Sequence, residues 1–137
     1  MPTSISDTLK HLAEAEGFDG PRIARADAIP LAAGRLSQFI AAGHHGSMGW
    51  MAETAERRGS PLVLWPEAKS AIMLAMNYGT GLDPLVRLEA RHTGVISVYA
   101  LGRDYHDVIK GKLKRIAQAF AHETGAEVQV FVDTAPL

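Results

Sequence analysis

The stretch from Tyr105 to Glu123 limits the folds open to this chain more than any other segment. Ile109, Leu113, Ile116 and Phe120 recur at spacings of four, three and four. That is a single apolar stripe at helical period, and a helix carrying it has to cover it with another layer. Asp104 stands where an N-cap belongs, and Gly125 where the helix has to stop. Lys110, Lys112, Lys114 and Arg115 decorate the outer part. GVISVYA (94–100) precedes the helix and EVQVFVD (127–133) follows it, both with strand-forming residues. Strand, helix and strand in that order predict a mixed α/β or α+β fold with helices packed on a central sheet.

The remainder of the chain supplies elements for the same layers. Ser4 and Ser6 are candidate caps for a first helix with Ile5, Leu9, Leu12 and Ala13 on one face, ended by Gly17 and Gly20 before Pro21. RIARADA (22–28) suits a short strand. Pro30 can open a second helix with Leu31, Leu36, Phe39 and Ile40 inward, ended by Gly43. GHHGSMGWM (43–51) reads as a Gly-punctuated turn entering a short helical piece, and ERRGSPL (56–62) as a break. AKSAIMLAMNY (68–78) is read as a buried strand between Pro66 and the glycines at 79 and 81. The run 79–94 is a mostly polar loop, long enough to suggest function or disorder. The strands near 71–77, 95–100 and 127–132 are expected to share one sheet.

Composition excludes several classes. With 137 residues the chain is about one domain. A net charge of −1 gives no whole-chain attraction to nucleic acid or anionic membrane. No apolar run approaches the roughly 20 residues that span a bilayer. MPTSISDTLKHLAEAEG has no basic segment leading into an apolar one, so no signal peptide is expected, and cytoplasm is the default location. There is no cysteine, hence no disulfide, no cysteine nucleophile and no thiolate ligand for a metal or iron–sulfur cluster in this chain.

A few residues could carry chemistry. Asp133 ends the last expected strand, where a carboxylate could act as a general acid or base, or could simply make the turn with Thr134 and Pro136. To donate a proton near neutral pH it would need desolvation by something large and apolar. GRDYHDV (102–108) gathers Arg, Asp, Tyr, His and Asp at a helix start, where backbone N–H groups can receive an anion or Asp104 can cap the helix. Arg57 and Arg58 point different ways, so at most one faces a site; a guanidinium there could anchor a carboxamide or phosphate, or remain a solvated surface group. The histidines at 11, 44, 45, 92, 106 and 122 show no H-x-x-x-H or H-E-x-x-H spacing, and no metal site is expected. Phosphate-loop and serine-elbow motifs are absent too. The basic residues at 110–115 could meet RNA phosphates or form a solvated face balanced by Asp107, Glu123 and Glu127.

Taken together and in order, several stretches resemble one family. They are GHHGSMGW (43–50), RGSP (58–61), LWPEAKS (64–70), NY (77–78), YALGRDYH (99–106) and FVDTAPL (131–137). This ordered set is similar to the N-terminal region of epoxyqueuosine reductases, the cobalamin- and iron–sulfur-dependent enzymes that complete queuosine in tRNA. The resemblance implies that reduced cobalamin removes the epoxide oxygen of epoxyqueuosine at the wobble position. It implies that Asp133, in the V-D-T motif, gives the departing oxygen its proton beside the cobalamin. It places a cobalamin contact at Arg58 in the R-x-x-P stretch and a second at Ser97. Tyr105 and His106 belong to the signature without an assigned role. The family also implies a monomer acting on a queuosine-type tRNA.

The family pattern continues after D-T-x-P-L into an E-R pair, a glycine-rich stretch and a ferredoxin-like part. Two cysteine clusters there bind two [4Fe–4S] clusters. This sequence contains none of that part. The expectation is a single N-terminal domain over 1–137, truncated and inactive alone. The alternatives are a corrinoid-binding module without catalysis, or a remnant or RNA-contacting partner subunit.

Overall fold

The computed structural model describes residues 4–133. The turn expected from Thr134 and Pro136 lies outside them. The fold is α+β, with helices α1 (Ile5–Ala15), α2 (Ala32–Ala41), α3 (Gly49–Glu53), α4 (Ala55–Gly59), α5 (Pro61–Leu64) and α6 (Tyr105–Thr124). Strands β1 (Arg22–Arg25) and β2 (Ser70–Met73) complete it. The chain forms two compact units.

In the first unit, formed by the segments up to Pro21 and from Leu74 onward, α1 packs on α6. Ser4 caps α1 by accepting the Asp7 N–H at 3.1 Å. Leu9 and Ala13 bury the inner face of α1, Phe18 follows it, and Ile116 is buried from α6. Ile5, expected inward, is 64 % exposed because it occupies the first position after the cap, beyond the part of α1 that is covered. Asp104 caps α6 through the His106 N–H at 2.9 Å, and Gly125 closes it at φ +69°, a conformation in which a Cβ is strained. The basic surface of α6 is partly committed to α1. Arg115 holds Glu16 in a two-pronged pair at 2.7 and 2.7 Å, and Lys112 donates to the Glu16 carbonyl. Glu16 thus joins Asp107, Glu123 and Glu127 as an acid near these basic residues.

The Arg115 guanidinium keeps the Glu16 carboxyl below the usual carboxylate range. A depressed folded-state value stabilises the fold above the ordinary glutamate pKa of about 4.3 and ceases to do so as pH falls through the lower folded value. Urea midpoints measured from pH 6 to pH 3 should fall on the acid side, and Arg115→Ala should flatten that fall. An unchanged acid limb in the variant would remove the pair from the account.

In the second unit, Arg22–Met73, β1 and β2 pair antiparallel with Arg22 opposite Met73 and Arg25 opposite Ser70. The Ala26 N–H extends the ladder to the Lys69 carbonyl at 3.1 Å. The break expected in ERRGSPL from its Gly, Ser and Pro is confined to one residue between α4 and α5. That residue is Ser60, which accepts the Leu62 N–H at 3.2 Å while Pro61 takes the first position of α5. Gly59 serves packing: a Cβ there would lie 3.0 Å from the Ala33 Cβ, so α4 and α2 meet by close approach. Gly59→Ala is expected to cost about 1–3 kcal/mol by overpacking. Chemical denaturation checks this, and a neutral result would mean that Ala33 yields freely.

Two expected strands differ. The run 94–100 contains a 3-10 turn at Val98–Ala100, and 127–132 has no ladder partner among the described residues. The sheet has two strands, and 71–73 is the only part of the three expected sheet segments in it. β-branched composition reports fit to a half-covered pleated surface, and without an adjacent strand edge it does not produce a ladder. The polar loop at 79–94 includes a 3-10 helix at Pro84–Glu89, started by Asp83 accepting the Leu85 N–H at 2.9 Å.

Candidate active site

Asp133 lies against the N-terminus of α6. Tyr105 donates its hydroxyl to Asp133 Oδ2 at 2.7 Å, and His106 Nε2 is 3.3 Å from Oδ1. The His106 ring continues to Asp104, with Nδ1 2.8 Å from Oδ1. Tyr105 and His106 stack at 4.1 Å between ring centroids, and Tyr99 meets Tyr105 edge-on at 5.8 Å. A helix start explains the convergence. Residues 105 and 106 leave the first turn on adjacent bearings, and the capping Asp104 bends back over the same turn. One carboxylate is thus reached by a phenol and an imidazole, and a second carboxylate orients the imidazole.

The electrostatics follow from these contacts. The His106 backbone N–H, and then its ring, hold the Asp104 carboxyl below its ordinary range, so Asp104 is ionised at neutral pH. The hydrogen bond to Asp133 pushes the Tyr105 phenol up to about 12, so Tyr105 keeps its proton and acts as a donor. His106 Nε2 is buried and makes no aligned hydrogen bond, although Asp133 Oδ1 is within ion-pair distance.

Arg58, in the second unit, is held on two sides. Its guanidinium lies 4.6 Å from the Trp50 ring centroid, and its Nε donates to Thr54 Oγ1 at 2.8 Å. The Thr54 hydroxyl is itself fixed by donating to the Trp50 carbonyl at 2.6 Å. Its two terminal nitrogens make no hydrogen bond or ion pair among the described residues. Arg57 is exposed, whereas Arg58 is half-buried. The spacing Trp50, Thr54, Arg58 repeats every four residues and was available in the sequence as a signal for this support. Ser97 is exposed; it precedes the 3-10 turn without a side-chain capping bond, and its carbonyl accepts the Ala100 N–H at 2.9 Å. An apolar cavity of about 490 Å³ lies between α2 and the α4–α5 segment, lined by Leu36, Ile40, Gly59 and Val63 among others. Among the described residues, no group of three or more His, Asp or Glu side chains is arranged to hold a metal ion. No described helix is long and apolar enough to cross a membrane.

An α+β chain whose capped helix start brings a phenol and an imidazole onto one carboxylate has the equipment of an acid–base site. The chain belongs to the epoxyqueuosine reductase family. Residues 58–134 match the family profile described as epoxyqueuosine reductase QueG, DUF1730. Over 131 residues the chain is 41 % identical to the epoxyqueuosine reductase of Gloeobacter violaceus, an alignment covering 94 % of this chain and 39 % of that protein. It is 39 % identical over 134 residues to the Leadbetterella byssophila enzyme of the same name, covering 96 % and 42 %. The Pseudomonas aeruginosa epoxyqueuosine reductase is 36 % identical over 104 residues, covering 74 % and 29 %. The chain therefore spans about two-fifths of the first two relatives. No solved structure gives a significant match.

Proposed function

We propose that this chain is the N-terminal domain of a cytoplasmic cobalamin-dependent reductase that converts epoxyqueuosine to queuosine in tRNA, with Asp133 as the proton donor. The observation that carries the reading is Asp133 in contact with both Tyr105 and His106, within a family whose relatives bear that enzyme name. An epoxide oxygen leaves poorly as an alkoxide, so a positioned acid lowers the barrier. Tyr105 holds one carboxylate oxygen and orients the group. After the proton leaves, the same hydroxyl stabilises the carboxylate left behind.

Arg58 suits a corrin edge. Arg58 is pre-positioned by Trp50 and Thr54 with donors to spare, which matches the carboxamide oxygens that fringe a corrin. Ser97, in the first unit, is proposed separately as a cobalamin contact. When bound, cobalamin supplies the electrons for cleavage of the carbon–oxygen bond. The [4Fe–4S] clusters of the family do not fit this chain, which has no cysteine to ligate them. They belong to the part of the relatives that the chain does not span, and without it the chain is inactive. The test is a chimera joining residues 1–137 to the remainder of the Gloeobacter violaceus enzyme. Conversion of epoxyqueuosine in tRNA by that chimera is expected. A folded, cofactor-loaded chimera without conversion would overturn the reading.

A further inference from the structure

The side chain of Asp133 is 61 % exposed, and that of His106 is 35 % exposed with its Nε2 buried. A solvent-facing carboxyl is a poor store for a proton at neutral pH, because carboxyls ordinarily titrate near about 4 whereas imidazoles titrate near about 6.5. The structure puts an imidazole nitrogen 3.3 Å from the carboxylate that has to deliver a proton. It also dictates which nitrogen. The ionised Asp104 accepts from Nδ1, so the Nδ1–H tautomer is favoured and Nε2 is the variable position facing Asp133.

Resting on the function proposed above, we propose that Asp133 and His106 hold the delivered proton as a pair, with Asp104 as the positioning residue that sets the imidazole tautomer. Before transfer, one proton is shared between His106 Nε2 and Asp133 Oδ1. In transfer, the Nε2–H bond of the His106 imidazolium breaks as an O–H bond forms at Asp133 Oδ1, and that O–H bond breaks as an O–H bond forms at the opened epoxide oxygen. The pair ends one proton poorer, as neutral His106 and the Asp133 carboxylate, with Tyr105 still donating to Oδ2. No electrons move in this step, and solvent returns the proton. The titratable groups around the imidazole are Asp104 at Nδ1, Asp133 at Nε2, Tyr105 stacked on the ring and Tyr99 behind Tyr105. Tyr105 keeps its proton at neutral pH.

Ring-nitrogen NMR on the full chain tests the pairing without any turnover. Asp133→Asn replaces the group facing Nε2, so the His106 ring-nitrogen signals should shift at a fixed neutral pH. Asp104→Asn should shift the neutral ring away from the Nδ1–H form. Asp133→Glu, which keeps the carboxylate, should leave the signals nearer those of the unsubstituted chain and guards against a fold effect, as do the signals of the other five histidines. His106 ring-nitrogen signals unmoved by Asp133→Asn, with the other histidines also unmoved, overturn the pairing. In the chimera, His106→Gln should displace the neutral limb of the kcat–pH profile and leave KM unchanged; an unchanged profile also overturns it. The two proposals fail separately. Asp133→Asn abolishing turnover without moving His106 removes the pairing alone, whereas full turnover in Asp133→Asn removes the catalytic role.

Discussion

Asp133→Asn in the chimera is expected to lower kcat by about 10²–10⁴-fold, the range that a positioned general acid supplies. The amide is nearly isosteric and can still accept the Tyr105 hydroxyl at its carbonyl oxygen, so the substitution changes the proton inventory far more than the packing. Asp133 is exposed, and the fold should tolerate the change. Substrate binding draws on other contacts, so KM should move much less than kcat. Tyr105→Phe is a useful comparison within the same experiment. It removes one hydrogen bond to the acid and leaves the proton in place, so its loss should be smaller than that of Asp133→Asn. Single-turnover conversion of epoxyqueuosine in tRNA reads the chemical step directly. If Asp133→Asn keeps normal single-turnover rates, the acid is elsewhere.

How much of this was legible in the sequence depends on whether the cause was local. The α6 boundaries were: Asp104 caps it and Gly125 closes it because the backbone groups at a helix end need those residues within one turn. Ser4 as the cap of α1 was legible for the same reason. The break in ERRGSPL was legible, but not that it is one residue long, since the same residues that interrupt a helix also begin the next one. The strand readings at 94–100 and 127–133 failed because a ladder needs a neighbour, and composition says nothing about which edge is available. Val95, Ile96 and Tyr99 remain exposed there. In the candidate site, Asp133 was legible as a residue. Its contact with Tyr105 and His106 was not, since it joins positions 28 apart in the chain. The Trp50–Thr54–Arg58 support lay at a readable spacing, although it crosses from α3 into α4.

Ile116→Ala should destabilise the first unit by about 2–5 kcal/mol, the range for removing a buried branched side chain and leaving a cavity. Ile116 is 5 % exposed, and it is the one residue of the α6 stripe that is buried. Ile109, Leu113 and Phe120 are half-buried, so the stripe that organises the sequence is anchored at a single point. On the facing side, Leu9, Ala13 and Phe18 are the buried residues of the α1 segment. With total stabilities of domains at about 5–15 kcal/mol, losing that anchor removes a large fraction. Ile5→Ala is the internal comparison: the same chemical change at a site 64 % exposed should stay within about 0.5 kcal/mol. Urea unfolding followed by far-ultraviolet circular dichroism measures both. Equal effects at the two positions would mean that α6 is not held by its apolar stripe and that the ion pair from Arg115 to Glu16 carries the contact instead. The expected result ties the site to the core, because the helix that Ile116 anchors is the one whose first turn presents Tyr105 and His106 to Asp133.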